Sequence, residues 1–138
     1  MHTATLGLPF LLLVACGAKA DGDGPTDTGT PETGAEPTWE NVRDDVLVNS
    51  CGFGSCHAPP GAAQFGIDET TPAEDLVAVP SSQDETIFIV QPGDPDSSYL
   101  VMKLEGEAGI DGEPMPPPAG GLDPAKVQLV RDWISSLP

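Results

Sequence analysis

The amino-acid sequence predicts one small, mostly α-helical domain over residues 38–138, with long loops and at most a short β segment. Three stretches of this region carry apolar residues at helical spacing, whereas Thr86–Val90 is the one run with the β-branched, apolar composition of a strand. The chain also contains 16 glycines and 16 prolines, which predict long irregular connections. Because so small a domain buries a limited fraction of its surface, we expect a disulfide or a large apolar cofactor to support it.

The first predicted helix covers residues 38–49 and leads directly into Cys51. Thr38 is a favourable N-cap, and Glu40 lies in the first turn, where its negative charge complements the helix dipole. The apolar residues of this stretch recur on one helix face: Trp39, Val42 and Val46. Glycines and prolines between residues 52 and 61 then predict irregular chain.

Two short elements are predicted in the middle of the domain. Thr71-Pro72-Ala73-Glu74 combines a capping box with proline at the first helical position, which indicates a short helix to about Ala78. Thr86–Val90 is expected to be extended, and the sequence offers no matching run with which it could form a sheet.

Two further helices are predicted near the carboxyl end. Asp94-Pro95-Asp96 is expected to cap a helix that closes at Gly106, and Asp123-Pro124 to cap the last helix. The apolar residues of the first of these helices are Tyr99, Leu100, Met102 and Leu104. Those of the last helix form a stripe wide enough for a core face: Val127, Val130, Trp133, Ile134 and Leu137.

The amino terminus predicts export and a lipid anchor. Leu6–Ala15 is apolar but too short to span a bilayer, and Leu13-Val14-Ala15-Cys16 resembles the lipobox of bacterial lipoprotein signal peptides. The resemblance implies a signal peptide over residues 1–15, lipidation of Cys16, and an outer-membrane location facing the periplasm or the cell surface. Residues 16–37 hold too little apolar surface to fold, so we expect a disordered acidic tether.

The charge of the chain excludes several classes of partner. The formal net charge is −17, and residues 38–138 contain 17 acidic and 4 basic side chains. This charge would repel nucleic acid and anionic lipid, and it favours a soluble partner protein with a basic patch. The carboxylates form no recognisable acid–base pair, so we expect neither an enzyme nor a small-molecule substrate.

The chemistry of the chain is concentrated in Cys51-Gly-Phe-Gly-Ser-Cys56-His57 and the distant Met115. Two thiols, an imidazole and a thioether are the groups that attach a haem covalently and ligate its iron from both faces. The usual spacing between the cysteines is two residues, and here it is four. Residues five apart on a regular helix point about 140° away from each other, and Gly52 and Gly54 can relax this stretch into a loop that brings the two cysteines together.

These segments resemble the small cytochrome c-like domains of exported bacterial proteins, including a planctomycete-type subgroup. The resemblance covers most of residues 38–138 and rests on the helix leading into Cys51–His57, Pro92–Leu100, Met115-Pro116 and Asp132-Trp133-Ile134. It implies a cytochrome c-like helical domain in which Cys51 and Cys56 attach haem c, His57 is the proximal iron ligand and Met115 the distal one. The implied function is one-electron transfer in the cell envelope, without turnover of a substrate.

Physical arguments also favour Met115 over Met102 as the thioether ligand. Packing explains Met102, which lies among apolar residues of a predicted helix. Prolines at positions 114 and 116–118 stiffen the loop around Met115 and lower the entropy lost on placing its side chain. Four aromatic residues are candidates to pack against the haem: Phe53, Phe65, Tyr99 and Trp133.

Two other interpretations of the cysteines stay open at this point. In an oxidising compartment Cys51 and Cys56 would form a disulfide, and the chain would be a haem-free lipoprotein acting as a structural or binding module. Closing so short a loop stabilises a fold by roughly 2 kcal/mol. A zinc site on Cys51, Cys56 and His57 is the third interpretation, but it lacks a second pair of ligands.

Overall fold

A computed structural model describes residues 34–54, 56–58, 64–117 and 121–138. The predicted signal peptide, the lipidation site Cys16 and most of the tether lie outside these residues. The end of the predicted tether contacts the domain, because Ala35 packs against the core and the Glu36 carbonyl accepts a hydrogen bond from the Asn41 side chain at 2.9 Å. None of the helices within the described ranges is long and apolar enough to cross a membrane.

The first helix, α1, consists of three consecutive segments. Trp39–Asn41 and Asn49–Cys51 are α-helical, and Val42–Val48 between them is a π-helix. The predicted N-cap is confirmed, since the Thr38 hydroxyl accepts from the backbone N–H of Asn41 at 3.3 Å. The π winding was not predicted. It bonds residues five apart, which brings Leu47 into the core on the same side as Val42.

The predicted helix from Thr71 to Ala78 is wrong. A single 3₁₀ turn, Ala73–Asp75, is present instead. The Thr71 hydroxyl accepts from the backbone of Asp68 at 2.9 Å and therefore caps an earlier turn. Ala78 has a φ of 57° and donates its N–H to the Val90 carbonyl at 2.9 Å, so pairing with a distant segment ends the helical course.

The extended segment near Val90 is confirmed as a minor β element. It forms two isolated bridges, a parallel one between Val77 and Val90 and an antiparallel one between Pro80 and Phe88. A hydrogen bond of 2.7 Å from Ile89 N–H to the Val79 carbonyl supports this pairing. The described part of the fold is thus mostly helical, as predicted.

The second helix, α2, covers Tyr99–Glu105 and ends as predicted at Gly106, which adopts the left-handed conformation with a φ of 70°. Its N-cap differs from the prediction. Ser98 occupies the cap position and makes no side-chain capping bond, whereas the Asp94 carboxylate accepts from the backbone N–H of Ser97 at 3.2 Å, one turn earlier. Asp94 therefore stabilises the turn before the helix.

Asp96 was also predicted to be a helix cap, and this prediction is wrong. Its carboxylate pairs with the Arg131 guanidinium, which also contacts Glu105 at 3.1 Å. Asp96 thus helps to join α2 to the last helix.

The last helix, α3, covers Pro124–Ser136. Its predicted cap is confirmed, because the Asp123 carboxylate accepts from the backbone N–H of Ala125 at 2.9 Å. Val130, Trp133 and Ile134 of its predicted apolar stripe are buried, and Val127 and Leu137 are partly buried and pack against the core. The core that this face completes consists of apolar side chains from the three helices and the segments between them: Val42, Val46, Leu47, Ile67, Leu76, Ile89, Val90, Val101, Leu104, Leu122, Leu129, Val130, Trp133 and Ile134.

Candidate functional site

A cavity of about 450 Å³ lies between the end of α1, the following turn, α2 and the Met115 loop. Its volume lies within the range of roughly 300–1,000 Å³ that is typical of small-molecule and cofactor sites. All four predicted haem-binding residues line it: Cys51, Cys56, His57 and Met115. The wall is mainly apolar and includes Leu47, Phe65, Ile67, Ile89, Leu100 and Leu104. Cys51 and Met115, which are 64 positions apart in the sequence (115 − 51), therefore meet at one apolar cavity.

The turn after α1 brings both cysteines to this cavity. The helix ends at Cys51, and the chain then folds back so that Cys56 N–H donates to the Phe53 carbonyl at 2.8 Å and His57 N–H donates to the Cys51 carbonyl at 3.2 Å. The four-residue spacer is thus accommodated by an irregular turn, as the sequence predicted.

Of the two glycines in this turn, Gly52 is the one required by its surroundings. A Cβ atom at Gly52 would lie 2.9 Å from the Val48 carbonyl oxygen and 3.1 Å from that of Ile67. A Cβ atom at Gly54 would have nothing within 4 Å. The absence of a side chain at Gly52 therefore lets α1 end tightly against residue 67, next to the site.

The His57 ring is held by a backbone carbonyl. Its Nδ1 lies 3.3 Å from the carbonyl oxygen of Phe65, and the two rings are 5.1 Å apart at an angle of 36°. Because a carbonyl oxygen can only accept, this contact requires the proton on Nδ1. In the neutral ring Nε2 then carries the free lone pair, which is the tautomer that binds a metal.

Cys51 and Cys56 are both thiols in this structure, with no disulfide bond between them. Burial, with a smaller contribution from the neighbouring Cys56, raises the pKa of the Cys51 thiol to about 11 against the opposing charge of Lys126. Cys51 therefore stays protonated at neutral pH. Because the thiolate is the nucleophile and the metal-binding form, Cys51 is a poor ligand for a free metal ion.

Met115 lies at the rim of the cavity with 36% of its surface exposed. Its backbone N–H donates to the Lys103 carbonyl at 2.8 Å, so the loop is attached to α2 at this residue. Met102, the other methionine considered, is partly buried in α2 and is not among the residues that line the cavity.

Two of the four aromatic residues named as candidates to pack against a haem lie at the cavity, and two do not. Phe65 and Tyr99 line the cavity. Phe53 is 58% exposed and does not line it, and Trp133 is buried in the core, where its ring lies 5.1 Å from that of Trp39. Trp133 belongs to the stripe of α3 that faces α1, which explains its position.

Sequence reasoning missed Lys103, which lines the cavity and is only 8% exposed. The available signal was its position four residues after Tyr99, which places a basic side chain on the same face of α2 as a buried aromatic ring. A polar part of the lining was missed as well: Gln64, Ser81, Ser82 and Gln83.

A cluster of three or more His, Cys, Asp or Glu side chains able to hold a metal ion is not found among the described residues. The zinc interpretation requires the side chains of Cys51, Cys56 and His57 to converge on one point, and they do not. Comparisons with protein-family models, with curated proteins and with solved structures gave no match to this chain.

Proposed function

We propose that this chain is a c-type haem protein that carries single electrons in the cell envelope. The observation that carries the proposal is the meeting of Cys51, Cys56, His57 and Met115 at one apolar cavity. Bound there, a haem would supply one-electron exchange between ferrous and ferric iron, with no substrate turned over.

Each of the four residues has a role that its surroundings support. The two thiols would form the thioether links, and the irregular turn stabilised by Gly52 brings them to the same wall. His57 presents Nε2 as a ligand because Nδ1 is engaged by the Phe65 carbonyl. Met115 would supply a thioether as the second iron ligand, and a histidine–methionine pair raises the reduction potential.

The surface of the domain supports a basic partner protein. Each of the four basic side chains in the described residues is engaged within the molecule. Arg43 binds Asp44, Arg131 binds Asp96 and Glu105, and both lysines donate to backbone carbonyls. The acidic side chains therefore dominate the field that a partner meets. With lipidation of Cys16, the domain would work at the outer membrane, facing the periplasm or the cell surface.

The test is to express the full chain in a host with a cytochrome c maturation system and to measure its absorption spectrum and intact mass. We expect a covalent haem spectrum and a mass increased by one haem. The competing function is a haem-free lipoprotein with a Cys51–Cys56 disulfide, which predicts a colourless protein lighter by two hydrogens.

Two methionine variants then test the ligand set. Met115→Leu is expected to keep the covalent haem, because both thiols remain, but to lose the sulfur ligand and lower the reduction potential. Met102→Leu is the matched control, since it makes the same change at a methionine that does not line the cavity. Equal potentials in the two variants would exclude Met115 as a ligand.

A further inference from the structure

The loop that carries Met115 folds back on α2 through several hydrogen bonds. The loop residues 107–117 follow the helix directly, and Glu107 N–H donates to the Met102 carbonyl at 3.0 Å. Asp111 N–H donates to the Tyr99 hydroxyl at 2.9 Å, and Met115 N–H to the Lys103 carbonyl at 2.8 Å. The loop is thus attached to the helix near its beginning, its middle and its end.

Lys103 makes the most contacts in this arrangement. Its ammonium group donates to the carbonyl oxygens of Asp111 and, at 3.0 Å, of Glu113. It also lies 5.9 Å from the centre of the Tyr99 ring. Since its own backbone carbonyl accepts from Met115, this one residue holds the loop at three positions.

Burying this lysine removes its ammonium group from water, which lowers the stability of the fold. Lys103 is 8% exposed, and none of the ion pairs among the described residues involves it. A buried ammonium group without a carboxylate partner loses free energy of hydration. Hydrogen bonds to two carbonyl oxygens compensate only part of that free energy.

We propose that Lys103 is a positioning residue that keeps the Met115 thioether at the cavity. The proposal rests on the proposed function for the identity of the ligand that Met115 meets. The holding of the loop itself does not depend on that function. Without the ammonium group, residues 111–113 would lose both of their bonds to Lys103, so loop 107–117 would open more often, although the backbone bonds of Glu107 and Met115 to α2 remain. Met115 would then spend less time at the cavity, while the thioether links at Cys51 and Cys56 stayed in place.

The experiment compares Lys103→Met and Lys103→Arg with Lys126→Met in the full chain. Lys103→Met keeps the length of the side chain and removes the donors, and Lys103→Arg restores the donors and the charge. Lys126→Met is the matched control, because Lys126 also donates to a backbone carbonyl, that of Asp45 at 2.8 Å, but does not touch the loop.

The first readout is amide hydrogen exchange in protein made without haem. In Lys103→Met we expect the Asp111 and Met115 amides to exchange faster, by about tenfold for each charge-assisted hydrogen bond lost. Lys103→Arg and Lys126→Met should exchange at rates close to those of the parent chain. Should Lys103→Met fail to fold by circular dichroism, Lys103→Gln removes the charge and shortens the side chain while keeping a polar group, and exchange at the Asp111 and Met115 amides no faster than in Lys126→Gln would overturn the inference.

The second readout uses protein that carries haem. Lys103→Met should keep the covalent haem mass, lose the absorption band of the methionine–iron bond, and bind added imidazole at the ferric iron about tenfold more tightly. Retention of that band in Lys103→Met overturns the inference, even where amide exchange has accelerated. A chain that carries no haem would instead overturn the proposed function, and the exchange rates of Lys103→Met against Lys126→Met would still decide whether Lys103 holds the loop.

Discussion

Replacing Gly52 by alanine is expected to destabilise the domain, whereas the same change at Gly54 is not. The new methyl group at Gly52 would lie 2.9 Å and 3.1 Å from two backbone carbonyl oxygens, those of Val48 and Ile67. Backbone atoms cannot rotate away as a side chain can, so the end of α1 or the segment at residue 67 must shift. Overpacking of this kind costs about 1–3 kcal/mol.

At Gly54 a methyl group meets no atom within 4 Å. Alanine there restricts the unfolded chain and is expected to stabilise by about 0.4–1 kcal/mol. The two variants carry the same chemical change, so the difference in their unfolding free energies, about 1–4 kcal/mol, isolates the steric contact.

Urea unfolding followed by tryptophan fluorescence measures this difference. With a slope of about 2 kcal/mol/M, a difference of about 2 kcal/mol separates the two midpoints by roughly 1 M. Under the proposed function, Gly52→Ala should also lower the yield of covalent haem, because Ile67 N–H donates to the carbonyl of His57, the proposed ligand, at 2.6 Å and transmits the shift to it. Equal midpoints for the two variants would refute the claim that Gly52 is needed for the close approach.

The remaining predictions concern the last helix and the buried thiol. Asp123→Ala should cost about 1 kcal/mol in urea unfolding, since it removes the acceptor for the Ala125 N–H, and a value near zero would contradict that role. Ile134→Ala should cost about 2–5 kcal/mol in the same assay, because the side chain is fully buried, and a smaller loss would mean that the core collapses around the gap. Burial raises the pKa of Cys51 from 9.0 to about 11, so without haem iodoacetamide should modify it far more slowly at pH 8 than the exposed Cys56, as peptide mass mapping would show. Equal labelling rates at pH 8 would contradict the burial of Cys51. The folded chain holds the Cys51 proton more tightly than the unfolded chain does. The free energy of unfolding that this contributes is therefore present below about pH 9 and is lost as the pH rises through about 11.

Local sequence signals predicted most of the helical elements. The helix ends at Thr38, Gly106 and Asp123 lie where they were expected, because capping depends on residues within a few positions of each other. The extended segment around Val90 was recognised from its composition for the same reason.

The wrong predictions share a physical cause. Thr71, Asp94 and Asp96 have the residue types of helix caps, but each found a different partner in the folded chain. For Asp96 that partner is Arg131, which is 35 residues away and comes near only when α3 packs beside α2. A capping motif indicates which groups a side chain is able to bind. It does not determine which of the available hydrogen-bond or ion-pair partners the side chain binds in the folded chain.

The sequence alone determined the chemical groups of the candidate site and the short-range structure around them. Two thiols and an imidazole within seven residues, with a methionine among prolines, are visible without any fold. Tertiary structure decided that Met115 lies at the same cavity as Cys51, and that Lys103 is buried beneath the loop instead of reaching solvent. These outcomes depend on contacts between residues far apart in the chain, whose free energies are settled only when the helices pack together.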